Sequence, residues 1–260
     1  MTSSLDLQNI TKVFTDAKTG HSVTAVQDMS FSVAPGELVA VVGPSGCGKS
    51  TILNMVSGLY GPTEGRVLLD GVPVTATRPE VGFMLQKDLL LPWRNIVQNV
   101  EFGLEEKKMS RAERRARAMA ELERMKLAEF ADKYPHHLSG GMRQRAALAR
   151  TLAIEPEIVL LDEPFSALDA QTKLVLQRHF ARTIAETGVT CVLITHDLNE
   201  AVILADRVVV LSGRPGRVID EFAIELPHRT DPLKRSLEPQ AGVYVKRLFD
   251  ALHLEDQDAA

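Results

Sequence analysis

The chain has 260 residues, 45% hydrophobic and 25% charged, enough to bury a substantial core in one large domain or two modest ones. Its formal net charge of −4 lacks the basic excess of nucleic-acid-binding proteins, so we expect small molecules and proteins as partners and no nucleic acid. The two cysteines, Cys47 and Cys191, form neither a disulfide framework nor a metal-ligand spacing, which favours a reducing, intracellular compartment.

The N-terminal residues contain no basic start followed by an apolar run, so no signal peptide is expected. The longest apolar runs, such as residues 38–42 and 158–161, are far shorter than the roughly 20 residues that a membrane-spanning helix needs. Any membrane role is therefore expected to come through a partner.

Short β-branched runs alternate with helical patterns along the chain. Residues 38–42 predict a buried parallel strand, followed by a glycine-rich turn and a helix from Lys49 to about Ser57. Further buried strands are predicted at 158–161, 190–194 and 207–211. This alternation predicts an α/β sheet with phosphate chemistry at the carboxyl ends of its strands.

From about residue 86 to 150 the pattern is helical only. Ser110 and Glu113 form a capping-box start, and apolar residues follow at roughly helical spacing. The arginines of this segment raise the alternative of a nucleic-acid patch, but interleaved glutamates favour a solvated face. The segment therefore predicts a helical insert. Beyond residue 213, proline and charge predict a final hairpin and one helix near 243–252.

A glycine-rich octapeptide follows the first predicted buried strand. It matches G-x-x-x-x-G-K-[ST], and its backbone N–H groups would surround phosphates at the positive end of a helix dipole. Lys49 is expected to bind the β- and γ-phosphates and the Ser50 hydroxyl to ligate Mg²⁺. The alternative is a tight turn without a ligand. The expected phosphate-binding residues are Gly43, Pro44, Ser45, Gly46, Cys47, Gly48, Lys49, Ser50 and Thr51.

Two acids end the predicted strand at 158–161. Asp162 would lie at the carboxyl edge of the sheet beside the phosphate loop, where it can hold Mg²⁺ directly or through water. Glu163 is then placed to polarise the water that attacks the γ-phosphorus. Alone, an apolar run ending in two acids is weak evidence, but beside the glycine-rich loop it becomes strong.

The segment 138–145, LSGGMRQR, resembles the LSGGQ signature of ABC cassettes, with Met142 where glutamine usually stands. The resemblance implies that Ser139, Gly140 and Gly141 open a helix to about Ala153 and form a second anion site. In the family this site reaches ATP only on another cassette, which implies a dimer with two nucleotides between the subunits. The alternative is an ordinary helix N-cap.

Other positions match family landmarks in the same order. Phe14 resembles the aromatic residue that stacks on adenine, where tyrosine is commoner, and the alternative is core packing. Gln86 resembles the glutamine that contacts Mg²⁺ and the attacking water, and His196 resembles the histidine that contacts the γ-phosphate. Residues 166–169 resemble the D-loop, with Asp169 expected at the nucleotide. The catalytic residues implied are Lys49, Gln86, Glu163 and His196.

The resemblance, which covers about residues 5–216, implies a P-loop NTPase (RecA-like) α/β core with an N-terminal antiparallel β subdomain and an inserted α-helical subdomain. We expect one domain over 1–260, with the core at about 1–86 and 155–215, helices at about 87–154 and a tail at 216–260. The implied reaction converts ATP and water to ADP and phosphate, with ATP and Mg²⁺ as cofactors.

Three segments, LLPW, GPSGCGKST and SGRPGRV, resemble the importer branch for nitrate, sulfonate and taurine. That branch implies a homodimer, two permease subunits, an indirect partnership with a solute-binding protein, and a peripheral position at the cytoplasmic face of the inner membrane. Nitrate, aliphatic sulfonates, taurine and pyrimidine vitamin precursors remain open as solutes.

Leu89, Leu90, Leu91 and Trp93 follow Gln86 and predict a pocket that docks the permease, the alternative being packing inside the helical insert. A rival function is that of an ABC ATPase acting on ribosomes or chromosomes. Ribosomal members carry two cassettes in one chain and chromosomal members carry long coiled coils, and neither feature is found here. A simple P-loop kinase would lack the signature segment.

Overall fold

The computed structural model describes residues 3–258, and all statements about elements refer to this part of the chain. Its ten strands are β1 (Leu5–Thr15), β2 (Ser22–Val33), β3 (Leu38–Val42), β4 (Glu64–Leu69), β5 (Val72–Pro73), β6 (Val81–Met84), β7 (Ile158–Asp162), β8 (Thr190–Ile194), β9 (Arg207–Leu211) and β10 (Val218–Ala223). Its eight α-helices are α1 (Lys49–Val56), α2 (Ile96–Glu101), α3 (Arg111–Arg124), α4 (Gly140–Ala153), α5 (Ala170–Thr187), α6 (Leu198–Leu204), α7 (Pro232–Ser236) and α8 (Pro239–Asp258).

A six-stranded sheet forms the centre of the molecule, in the order β10-β9-β3-β8-β7-β6. All its neighbouring pairs are parallel except β10, which pairs antiparallel with β9. Every residue of β3, β7 and β8 is buried, because a parallel sheet is covered on both faces. The four predicted buried strands are confirmed, and the strand at 158–161 extends to Asp162.

Alternating side chains divide the central sheet between two cores. Val39 and Val41 belong to the core that includes α1, whereas Ala40 and Val42 belong to the core formed with the remaining helices. Successive strand residues point to opposite faces, so one short apolar strand contributes to both layers. The result is an α/β protein, as the sequence predicted.

A second, antiparallel sheet lies at the N-terminal side in the order β2-β1-β4-β5. Leu5, Ile10 and Val26 of this sheet are fully buried in the same core as α1 and one face of the central sheet. The antiparallel sheet and α1 therefore share one core, which also contains Cys47 of the loop between β3 and α1.

Helices α2, α3 and α4 lie between β6 and β7 in the chain, and they pack against one another. The predicted capping box is present: Ser110 Oγ accepts from the Glu113 N–H, and the Glu113 carboxylate accepts from the Ser110 N–H. Arg115 pairs with Asp132 in this segment. Such pairing of exposed charges is typical of a solvated surface.

The C-terminal segment contains more helix than the sequence predicted. The hairpin expected beyond residue 213 is formed by β9 and β10, so its first strand lies before that residue. The expected helix near 243–252 lies within the longer α8. The additional helix α7 begins at Pro232, whose fixed φ suits the first turn. Throughout residues 3–258, every helix is too short or too polar to span a bilayer.

Leu160 tests the packing of the central sheet, because its side chain is fully buried in the middle of β7. Leu160→Ala is expected to lower the free energy of unfolding by about 2–5 kcal/mol, because the substitution leaves a cavity. Urea unfolding measures the loss. Leu237→Ala, at a leucine that is 75% exposed, is the matched control and should change stability by less than about 0.5 kcal/mol. Equal effects of both substitutions would contradict this packing.

Candidate active site

The glycine-rich loop leaves the buried strand β3 at Gly43 and enters α1 at Lys49. Lys49 Nζ donates to the carbonyl oxygens of Gly43 and Pro44, both at 2.8 Å, so the loop curves around the ammonium group. Cys47 is buried in this loop, and burial raises the pKa of its thiol, which makes it a packing residue and not a nucleophile.

Gly46 and Gly48 give the loop its curvature, with φ of 81° and 100°. These left-handed values suit glycine and strain residues with a Cβ. At Gly48 a Cβ would also lie 2.7 Å from Val26 Cγ2 and 2.9 Å from the carbonyl oxygen of Ala25. The loop thus keeps the open backbone concavity that phosphate groups need.

Ser50 and Asp162 meet at the mouth of this loop. Ser50 Oγ donates to Asp162 Oδ2 at 2.7 Å. Burial raises the pKa of the Asp162 carboxyl, and the neighbouring Glu163 charge raises it further, while the Ser50 hydrogen bond lowers it. A hydroxyl and a carboxylate are oxygen donors of the kind that Mg²⁺ prefers. Within residues 3–258 no cluster of three or more His, Cys, Asp or Glu side chains could hold a metal by itself.

Two side chains from different loops contact the Glu163 carboxylate. His196 Nδ1 lies 3.2 Å from Glu163 Oε1, and Gln86 Nε2 donates to Glu163 Oε2 at 3.3 Å. Gln86 follows β6, Glu163 follows β7 and His196 follows β8. Parallel neighbouring strands end at one edge of the sheet, which brings these three residues together.

The backbone of Glu163 is strained and firmly held. Its φ is 52°, in the left-handed region, and its N–H donates to the Ile194 carbonyl oxygen at 2.9 Å. Its own carbonyl oxygen accepts from Gln144 Nε2 at 2.8 Å. The buried Gln144 also accepts from the Ala167 N–H at 3.0 Å, so helix α4 positions the acid and the following loop. Gln144 was not among the predicted site residues, although it lies within the signature segment.

Lys49, Ser50, Gln86, Asp162 and Glu163 line one cleft of about 400 Å³, whereas His196 and Gln144 are not part of its lining. Phe14 lies in its wall and is 42% exposed, so its ring is not a core residue. Arg214, in the loop between β9 and β10, also lines the cleft, although it was not among the predicted site residues. The lining residues are Phe14, Ala25, Ser45, Gly46, Gly48, Lys49, Ser50, Thr51, Gln86, Asp162, Glu163 and Arg214.

Seven predicted nucleotide-binding residues do not line this cleft: Gly43, Pro44 and Cys47 of the glycine-rich loop, and Ser139, Gly140, Gly141 and Asp169, which lie elsewhere. Ser139 is the N-cap of α4, with its Oγ accepting from the Met142 N–H at 3.3 Å, and Gly140 and Gly141 begin that helix. Asp169 is the N-cap of α5, accepting from the Thr172 N–H at 3.0 Å. Backbone hydrogen bonds lower the pKa of the Asp169 carboxyl.

The predicted docking leucines are divided between core and surface. Leu90 is buried, whereas Leu89 and Trp93 are 53% and 71% exposed. The chain here is held by Asn99, whose Oδ1 accepts from the Leu91 N–H at 2.7 Å. Packing inside the helical insert therefore accounts for the buried Leu90, and Leu91 is half-buried. Leu89 and Trp93 are exposed apolar side chains.

The parallel sheet, the glycine-rich loop at a helix N-terminus and the acids ending the neighbouring strand define a P-loop NTPase. A family model described as ABC transporter matches residues 26–166. The chain belongs to the ABC transporter family, as an ATP-binding cassette with ATPase activity.

The chain is 45% identical over 231 residues to an uncharacterized ABC transporter ATP-binding protein of Methanocaldococcus jannaschii, covering 89% of this chain and 86% of the relative. It is 46% identical over 205 residues to the taurine import ATP-binding protein TauB of Yersinia pestis bv. Antiqua, covering 79% of this chain and 80% of the relative. A dimeric, post-hydrolysis structure of the ATP-binding cassette MJ0796 bound to ADP and Pi aligns with a TM-score of 0.77 at 34% identity, covering 85% of this chain and 99% of that one.

The raised pKa of Asp162 indicates that the negative charge of this carboxylate lowers the stability of the ligand-free fold. The folded state holds the proton more tightly than the unfolded state, so this residue's contribution to stability falls as pH rises above the ordinary value of 3.8. Asp162→Asn should therefore raise the free energy of unfolding at neutral pH, and the gain should shrink as pH falls toward 3.8. Urea unfolding across pH checks this. A less stable variant at pH 7 would refute it.

Proposed function

We propose that the chain is the ATP-hydrolysing subunit of an ABC importer and works as a homodimer beneath two permease subunits. One observation carries this proposal: the cleft gathers the phosphate loop and the carboxylates, while the helix N-terminus at Ser139 lies outside it. A cassette built in this way completes its site with the signature helix of a second copy. The dimeric state of the MJ0796 cassette supports the same arrangement.

The phosphate end of the cleft would hold ATP and Mg²⁺. The backbone N–H groups of the loop and Lys49 Nζ bind the β- and γ-phosphates, with the helix dipole of α1 adding positive potential. Ser50 Oγ and the Asp162 carboxylate would be ligands of Mg²⁺, aided by Gln86, and the ion when bound offsets charge on the phosphates. The geometry of Ser50 and Asp162 suits this role.

Hydrolysis would depend on Glu163 and its two neighbours. The Glu163 carboxylate orients the attacking water and accepts its proton. Gln86 and His196 contact one carboxylate oxygen each, so both hold the acid in place and are near the γ-phosphate position. The Ser139 hydroxyl and the backbone N–H groups of Gly140 and Gly141 of the partner would contact that phosphate from the other side.

Asp169 and the D-loop would act across the dimer interface. The residues between Glu163 and Asp169 are tied to the signature helix, because Gln144 contacts both the Glu163 carbonyl and the Ala167 N–H. A shift of α4 on nucleotide closure is therefore expected to move the D-loop. This connection supports a role for the loop in communication between the two sites.

The permease is proposed to dock on the surface formed by Leu89, Trp93 and the neighbouring Phe102. All three are exposed, and Arg94 lies 5.0 Å from the centre of the Phe102 ring. An apolar surface beside Gln86 would pass a permease movement directly to the active site. We place the subunit peripherally on the cytoplasmic face of the inner membrane, held there by this contact.

The solute is proposed to be a small anionic or polar compound such as taurine, another sulfonate or nitrate. The 46% identity to the taurine import protein TauB supports this branch, as do the LLPW and SGRPGRV segments. The pyrimidine vitamin precursors form the remaining class. Solute choice would lie with the permease and a separate solute-binding protein.

Glu163→Gln tests the active site and the dimer together. Turnover is expected to fall by about 100- to 10,000-fold because the general base is lost. The variant should still bind ATP and form a dimer that wild type shows only transiently, as measured by analytical ultracentrifugation.

Adding Ser139→Ala should weaken the ATP-dependent dimer of the Glu163→Gln variant. Glu123→Gln, at an exposed glutamate of α3, is the control and should change neither turnover nor association. A Glu163→Gln protein that hydrolyses ATP normally, or stays monomeric with saturating ATP, would refute the proposal.

Trp93→Ala tests the docking surface. Because Trp93 is exposed and outside the cleft, basal ATPase should be retained within about twofold. Solute uptake and co-purification with the permease from solubilised membranes should both fall by at least about tenfold, the scale of a lost interface anchor. Val72→Ala, which truncates another exposed residue, is the control. Unchanged uptake would exclude this surface.

A further inference from the structure

The loop between β9 and β10, residues 212–217, is fixed against strand β2. The Gly216 N–H donates to the Ala25 carbonyl oxygen and the Gln27 N–H donates to the Gly216 carbonyl oxygen, both at 3.0 Å. Within the loop, Ser212 Oγ donates to the Pro215 carbonyl oxygen at 3.0 Å and accepts from the Arg217 N–H at 2.8 Å. The loop is thus an ordered structure and not a loose connection.

The same loop touches the phosphate-binding loop. A Cβ on Gly216 would lie 2.0 Å from the carbonyl oxygen of Cys47, so only glycine allows this approach. The contact places the preceding residues of the loop at the rim of the nucleotide cleft. Arg214 is the long side chain that this geometry presents there.

Arg214 stands at the Phe14 end of the cleft. The cleft of about 400 Å³ adjoins an open cavity of about 870 Å³ lined by the turn between β1 and β2. Of the residues that the structure describes, only Phe14 and Arg214 line both, whereas Lys49 lines the first alone. This position is the junction where a nucleotide whose phosphates lie at Lys49 would present its base.

The Arg214 guanidinium is also available to contact a ligand. Among residues 3–258 it makes no hydrogen bond, ion pair or ring contact, whereas Arg217 of the same loop donates to Gln27 Oε1 at 2.5 Å. Lys12 Nζ lies 5.3 Å from the centre of the Phe14 ring, so that ring already has a cation on it. Lys12 thus supplies the cation–π contact of the Phe14 ring, and Arg214 is not required for it.

We propose that Arg214 is a second wall of the base site, its planar guanidinium packing on the adenine ring that Phe14 contacts from the other side. The inference rests on the proposed binding of ATP phosphates at Lys49 and extends it to the other end of the nucleotide. A guanidinium plane stacks well on aromatic faces, and an ammonium group does so less well. Such a wall accepts any purine, since every base presents a π-face.

The test compares ADP with inorganic tripolyphosphate, which has the phosphates and no base. Both are titrated calorimetrically into the full chain without Mg²⁺, so that no hydrolysis occurs. Arg214→Ala should weaken ADP binding about 3- to 10-fold, the range of a partly exposed cation–π contact, and leave tripolyphosphate binding unchanged. Arg214→Lys should lose nearly as much, because the plane is lost and the charge is kept.

Two variants make the outcome unambiguous. Arg217→Ala removes a paired arginine of the same loop and should leave both affinities unchanged. Lys49→Ala should weaken both ligands, and its failure to do so would refute the proposed function independently of Arg214. Equal losses for ADP and tripolyphosphate in Arg214→Ala, unchanged binding of both, or full rescue by Arg214→Lys would each overturn the base contact.

Discussion

The hydrogen bond of 2.7 Å between Ser50 Oγ and the buried Asp162 carboxylate joins residues 112 positions apart, and the active site depends on it. It connects the start of α1 to the end of β7 at the edge where the parallel strands stop. This arrangement has a free-energy cost, because burial and the charge of Glu163 raise the pKa of the Asp162 carboxyl and disfavour its charged form. A cation bound there would relieve this cost, so that stability without ligand would be exchanged for affinity.

A second set of contacts ties the helical insert to this edge. Arg150 of α4 donates to the carbonyl oxygens of Asp88 and Leu89, both at 2.7 Å, and Arg143 Nε donates to the Asp88 carboxylate at 3.0 Å. Arg143 also donates to the carbonyl oxygen of Leu138, the first residue of the signature segment. Movement of the exposed surface at Leu89 is thereby linked to α4, and through Gln144 of α4 to the acid at the end of β7.

Much of the fold was predictable because its signals are local. The buried strands are short, continuous apolar runs, the capping box at Ser110 is a four-residue pattern, and the glycine-rich octapeptide predicts its own loop. The roles of Gln144 and Arg214 were not predictable. Glutamine and arginine are common on surfaces. Gln144 matters through its contacts with Glu163 and Ala167, and the proposed role of Arg214 comes from its place in the wall of the cleft, which elements far away in the chain form.

The sequence by itself determined the class of chemistry, since spacing within a motif specifies which backbone and side-chain groups meet a phosphate. In the same way, the sequence determined the order of strands and helices along the chain and the candidate acidic residues. Only the tertiary structure decided that Leu90 is buried while Trp93 is exposed, that His196 and Gln86 meet one carboxylate, and that Ser139 lies outside the cleft. Such facts depend on how separate elements pack, and packing distances are not encoded in local periodicity.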